Sequence, residues 1–233
     1  MEMTSQALAM GAVWYVVFIF SITVHEAAHA WAAYKLGDET AYLGGQVTLD
    51  PLPHMRREPF GTILVPLFSY VWAGWMMGWA SAPYDPHWAD RHPKRAAWMA
   101  LAGPASNLLV AIVAGIAIRV GLAQGMFVPP PESFSFEQLI LATGGGVFDS
   151  LAALLSVLFS LNLLLCAFNL LPLPPLDGSG ALPLILPEET ARRYQEIMRD
   201  PMWSLVGLLL AWNFFGELFA PVYWKVTFWV VGV

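Results

Sequence analysis

The apolar positions of this chain fall into long uninterrupted runs and not into the alternating or amphipathic patterns of a water-soluble fold. A membrane-crossing helix needs about 20 mainly apolar residues. Residues 7–24, 59–84, 96–118 and 150–176 each approach or exceed that length without a charge. A further run over 201–216 is followed by Glu217 and an apolar tail reaching Val233, which predicts one or two more membrane helices. No connecting segment approaches the ~40 residues below which a domain rarely folds unaided. The expected organisation is therefore a single integral membrane domain over residues 1–233, with a core at about 7–178, a C-terminal membrane region at 201–233 and no appended soluble domain. The fold class predicted is an all-α polytopic membrane protein. The first ten residues lack the positive stretch of a secretory signal, so the first run is read as a retained helix.

The charges between the runs set an orientation, because Lys and Arg are retained on the cytoplasmic side. Lys35, Arg56 and Arg57 follow the first run; Arg91, Lys94 and Arg95 precede the third; Arg192, Arg193 and Arg199 follow the fourth. Residues 123–149 carry neither Lys nor Arg. Three loops are expected in the cytoplasm and the loop around Pro129 outside, with the first helix running inward. Residues 59–84 then have cytoplasmic flanks at both ends, so this segment is expected to dip into the bilayer and return. Pro66, Gly74 and Gly78 suit such a broken path. Residues 128–137 read as a proline-containing loop, and residues 188–200 as a short interfacial helix.

Composition narrows the partners. Hydrophobic residues make up 58% of the 233 and charged residues 12%, about half the ~25% charged of an ordinary soluble domain. A net charge of −6 with 11 Lys+Arg leaves no basic stripe, so nucleic acid is not an expected partner. Cys166 is the single cysteine, which excludes an intramolecular disulfide and a Cys-based zinc cluster. Any metal site must be built from His and carboxylate. The 11 Trp and 7 Tyr are read as interfacial anchors.

Such a site has candidates. The sequence His25-Glu26-Ala27-Ala28-His29 closes the first run. Histidines at i and i+4 share a helical face, so both imidazoles can reach one metal ion while the glutamate addresses a water on it, and zinc suits that chemistry. The other reading is a polar patch on a helix that has emerged into water. Ionisable groups at membrane depth are costly and usually functional, which favours the metal. A catalytic zinc takes three protein ligands. Asp177 is the natural third, because it directly follows a long uncharged run within Asn169-Leu170-Leu171-Pro172-Leu173-Pro174-Pro175-Leu176-Asp177-Gly178, whose prolines must interrupt a helix. A plain Asp-Gly turn is the alternative there. With both motifs in the cytoplasmic half of the membrane, they can meet.

The pair HEAAH and NLLPLPPLDG resembles the site-2 protease family of intramembrane zinc metalloproteases. Gly103-Pro104-Ala105-Ser106-Asn107 is similar to the Gly-Pro-x-x-Asn element that opens another core helix in that family. With the GTILVPLF and GWASAPYDP stretches, the similarity runs from about residue 13 to residue 178. The resemblance implies a three-helix catalytic core from the first, third and fourth runs. It also implies a re-entrant or strand-like membrane-associated segment that binds unwound substrate, with residues 79–85 as the candidate edge. His25, His29 and Asp177 map onto the ligands of one catalytic Zn2+, Glu26 onto the catalytic glutamate, and Asn169 onto a residue that positions substrate or stabilises the oxyanion. Asn107 receives no definite role, packing beside a proline kink being the simplest.

The function expected is hydrolysis of peptide bonds in membrane-spanning protein substrates, as in regulated intramembrane proteolysis, by a multi-pass cell-membrane enzyme whose active site lies toward the cytoplasm. Its expected partners are a transmembrane protein substrate and the lipid bilayer. The main alternative is a metal-handling membrane transporter with His and Asp along an ion pathway. Transporters often show matching halves, and none is visible here. A membrane-anchored protease acting on soluble peptides is a second alternative. His54, His87 and His92 are expected to be ordinary surface histidines, with His54 close enough to the re-entrant segment to place an imidazole near the catalytic mouth.

Overall fold

A computed structural model describes residues 4–232. In chain order its helices are α1 (Ser5–Leu36), α2 (Thr40–Leu43), α3 (Pro51–Arg57), a π-helical turn (Phe60–Leu64) leading into α4 (Val65–Ala73), α5 (Pro86–Arg91), α6 (Pro93–Ala123), α7 (Val147–Asn169), α8 (Asp177–Ala181), α9 (Glu188–Met198) and α10 (Pro201–Val231). Among the described residues, α1, α6, α7 and α10 are long and apolar enough to cross a membrane. This is the all-α polytopic architecture expected. Three of the helices start with the same local chemistry. Asp50, Asp85 and Asp200 each accept a hydrogen bond from a backbone N–H of the first turn, and each is followed by a proline whose missing N–H costs nothing there.

The core is the expected trio. α6 packs against both α1 and α7, which also touch each other. Lipid gives no hydrophobic drive for helices to associate, so close backbone approach through small residues matters most. The buried face of α6 has that character, with Ala96, Ala97, Ala100, Gly103, Ala111, Ala114 and Gly115. Large apolar side chains such as Val16, Phe20, Leu109, Ile112 and Ile116 are exposed on the outer surface, where acyl chains would cover them.

Several boundaries differ from expectation. α1 does not end at the HEAAH motif but continues about two turns further. Ala30, Ala32 and Ala33 sustain the helix after the uncharged run ends, until the left-handed Gly37 stops it. The Gly-Pro-x-x-Asn element lies in the interior of α6 instead of opening it, with Pro104 inside the helix. α7 stops at Asn169, short of Leu176, because Pro172, Pro174 and Pro175 cannot donate to a helical ladder. The C-terminal region is one helix, α10, despite Glu217 and Pro221.

Residues 59–84 double back, as the loop charges predict. The apolar helix Phe60–Ala73 is too short to cross a bilayer. It runs along the first half of α1, where the Tyr70 hydroxyl donates to the Ala7 carbonyl at 2.7 Å. Gly74, at φ +80, reverses the chain. The return limb is pinned by Met77 N–H on Ser69 Oγ at 2.9 Å and Trp79 N–H on the Gly61 carbonyl at 3.1 Å. The return limb has no regular secondary structure and pairs with no strand among the described residues. The ascending limb is helical because only a helix satisfies its own backbone groups in an apolar setting.

The loop between α6 and α7 is not a solvated excursion. A two-residue antiparallel ladder, β1 (Phe127–Val128) with β2 (Leu141–Ala142), closes it. Leu139 and Ile140 insert into a core cluster with Ile118 and Phe159. At the other end of the bundle, Arg95 donates to the Leu36 carbonyl and Arg199 pairs with Asp90. The segments carrying Lys35, Arg95 and Arg199 thus gather at one end.

Candidate metal centre

α1 and α8 bring three predicted ligands together. His25 Nε2 lies 3.1 Å from Asp177 Oδ2, His29 Nε2 lies 3.3 Å from Asp177 Oδ1, and the two Nε2 atoms are 3.0 Å apart. One ligand atom from each residue falls within 4.8 Å of the others. Ligands held about 2.0–2.2 Å from a tetrahedral ion stand roughly 3.3–3.6 Å apart, so this spacing, slightly tighter, is close to that of one zinc-sized ion. The irregular segment after α7 carries Asp177 back to α1, and this is the structural use of its prolines.

The donor set makes a stronger test of fit than the distances. His29 Nδ1 is 2.8 Å from the Met99 carbonyl, which can only accept, so the ring proton sits on Nδ1. His25 Nδ1 is 2.6 Å from Asn107 Oδ1. In their neutral form both imidazoles therefore present Nε2 lone pairs toward each other and toward a carboxylate whose buried Oδ2 has no hydrogen-bond partner. Three acceptors converging in a low-dielectric interior repel one another unless a cation lies between them. The residues present fit a metal ion.

α6 supplies the wall. A Cβ at position 103 would sit 2.5 Å from His25 Nε2 and 2.6 Å from His25 Cε1, and would also collide with His29 Nε2. Only glycine lets α6 pass this close to the Nε2 atoms of both imidazoles. Glu26 is buried beside His25 on α1, outside the set of three converging ligand atoms.

Other predicted residues fall elsewhere. Asn169, predicted to position substrate or stabilise the oxyanion, donates to the Leu165 carbonyl of its own helix at 3.1 Å. His54 is not a surface histidine; it is buried at 1% exposure, with Nε2 3.1 Å from the Thr48 carbonyl, and it stands outside the metal group. His54 lies on α3, which packs against α1. Asn107, by contrast, takes a part that sequence reasoning missed, as the acceptor for His25. Its signal was present in the spacing, because a residue four after Gly103 shares the α6 face that meets the rings.

Peptidase family M50 matches the chain over residues 13–213. The chain belongs to this family, the site-2 protease family. A relative, YwhC of Bacillus subtilis, named as a zinc metalloprotease, is 34% identical over 172 residues, covering 74% of this chain and 68% of the relative. Rip2 of Mycolicibacterium smegmatis, named likewise, is 29% identical over 211 residues, covering 91% of this chain and 71% of the relative. Rip2 of Mycobacterium tuberculosis is 29% identical over 228 residues, covering 95% and 76%. No solved structure gives a significant match. The M50 match spans the histidine pair, Gly103, Asn107 and Asp177 together, and the transporter alternative gains no support from these comparisons.

Proposed function

We propose that this M50 member is a zinc-dependent endopeptidase that hydrolyses peptide bonds of membrane-spanning proteins within the bilayer. The carrying observation is the convergence of His25, His29 and Asp177, whose facing atoms are two imidazole Nε2 atoms and a carboxylate, inside an apolar helix bundle. Zinc held by them would supply a Lewis acid for the scissile carbonyl and acidify a water beside it.

The chain's own groups do the rest. Glu26, one position along α1 from His25, takes the proton from the attacking water as its oxygen bonds to the carbonyl carbon. When the C–N bond breaks, Glu26 returns that proton to the departing nitrogen. Asn169 turns its amide from the Leu165 carbonyl toward the developing oxyanion. A substrate helix must unwind before its carbonyls are reachable, and the return limb over residues 79–85, anchored at its ends by the N–H groups of Trp79 and Asp85, offers it a partner for backbone hydrogen bonds between those anchors. The gathering of Lys35, Arg95 and Arg199 at one end supports an orientation with that end, and the site nearer to it, toward the cytoplasm.

The test is zinc content and cleavage of a single-span substrate in liposomes. Glu26→Gln is expected to keep about one zinc and lose cleavage, and Asp177→Ala to lose both. Full cleavage by Glu26→Gln, or full zinc in Asp177→Ala, would reject the assignment.

A further inference from the structure

One helical turn before His25, the three core helices are joined by buried polar side chains. Ser21 of α1, Asn107 of α6 and Asn162 of α7 are all fully enclosed. Backbone carbonyls, which only accept, fix the direction of every bond between them. Ser21 Oγ donates to the Val17 carbonyl at 2.7 Å, so its oxygen is left to accept from Asn162 Nδ2 at 2.8 Å. The second hydrogen of that amide goes to the Leu158 carbonyl at 2.9 Å. Asn162 Oδ1 must then face Asn107, accepting from its Nδ2 at 2.8 Å, while the other hydrogen of Asn107 goes to the Ser21 carbonyl at 3.3 Å. Asn107 Oδ1 is all that remains for His25 Nδ1, 2.6 Å away, and an amide oxygen holds that contact only with an N–H. The chain therefore runs one way, from His25 through Asn107 and Asn162 to Ser21 and the Val17 carbonyl.

We propose that Asn162 and Ser21 are positioning residues of the metal centre, which fix through Asn107 the tautomer and ring orientation of His25. This rests on the reading of His25 as a ligand. With every donor satisfied, neither amide can flip without orphaning a buried hydrogen, so His25 keeps its proton on Nδ1 and its lone pair on Nε2. Each bond polarises the next, which strengthens the acceptor facing His25. Asn162 also secures α7, whose end leads through the proline segment to Asp177, so one side chain steadies the supports of two ligands.

The experiment measures Zn2+ affinity by chelator competition, and the Co2+ d–d absorption spectrum, on the full chain in detergent. Asn162→Leu and Ser21→Ala are compared with Ser160→Ala. Ser160 is equally buried on α7 and hydrogen-bonded to the Tyr223 hydroxyl at 2.7 Å, outside the chain of amides. Asn162→Leu is expected to weaken zinc binding about 10-fold and shift the cobalt bands, with a smaller loss in Ser21→Ala. Ser160→Ala is expected to lower thermal stability and leave metal binding unchanged. Unchanged zinc affinity in Asn162→Leu, or an equal loss in Ser160→Ala, overturns the proposal. Should Asn162→Leu fail to fold, Ser21→Ala against Ser160→Ala decides by the same criterion. His25→Ala separates the two levels: full zinc in that variant rejects the ligand reading itself, whereas zinc loss there with normal Asn162→Leu rejects only the relay.

Discussion

Replacing Gly103 with alanine perturbs the metal centre through a single methyl group. That carbon would sit 2.5 Å from His25 Nε2 and 2.6 Å from His25 Cε1, and it would also overlap His29 Nε2. Comfortable contacts for carbon begin near ~3.5 Å. Either α6 or both imidazoles must therefore yield by roughly 1 Å, in a site where ligand distances tolerate about ±0.2 Å. Fold stability should change little, because alanine in a helix interior gains about 0.5–1 kcal/mol over glycine and offsets part of the ~1–3 kcal/mol cost of overpacking. The loss falls on function. Zinc affinity is expected to drop at least ~10-fold, equivalent to ~1.4 kcal/mol, and cleavage by about 100-fold, the usual result of a 1 Å misplacement. The assay pairs chelator competition with cleavage of a single-span substrate. Gly115→Ala serves as control, since a Cβ there meets Phe159 at 3.3 Å, within reach of a small adjustment and not at the site. Wild-type zinc affinity in Gly103→Ala, or an equal loss in Gly115→Ala, would refute the reasoning.

Other expectations follow from the same geometry. Asn107→Leu removes the acceptor for the Nδ1 proton of His25 and orphans buried partners on α1 and α7, so zinc affinity should fall about 10–100-fold by chelator competition, and a normal value would show that His25 needs no such partner. Prolonged chelation should abolish cleavage and added Zn2+ should restore it; activity that survives complete metal removal argues against a metalloenzyme. In a Cys166→Ser background, a cysteine at Glu189 on α9 should react with an impermeant thiol reagent only from the cytoplasmic side, and one at Glu132 only from outside. Reversal of that pattern would invert the orientation.

Much of this was legible in the sequence because membrane proteins write their elements as long runs. Spans and the doubling back of residues 59–84 followed from counting apolar residues and locating Lys and Arg. The convergence of His25, His29 and Asp177 was legible for a different reason. His25 and His29 are two of only five histidines, and Asp177 stands alone at the end of an apolar run, so few other pairings were available. Helix ends were less accessible, since alanine carries α1 past the point where hydropathy fades. The support of the site was least accessible. Asn107 and Asn162 look like ordinary polar residues in apolar helices, and their meeting depends on the rotation of α6 and α7 about their axes, which no local pattern specifies. His54 shows the same limit in reverse, because a polar flanking sequence concealed its burial.

The central claim is that this centre cuts within the membrane, and the most direct measurement is the mass of the products released from a single-span substrate in liposomes by the wild-type chain and by Glu26→Gln. The account predicts fragments ending inside the span for the wild type and none for Glu26→Gln. Fragments that end only in the soluble flanks, or that persist in Glu26→Gln, would contradict it.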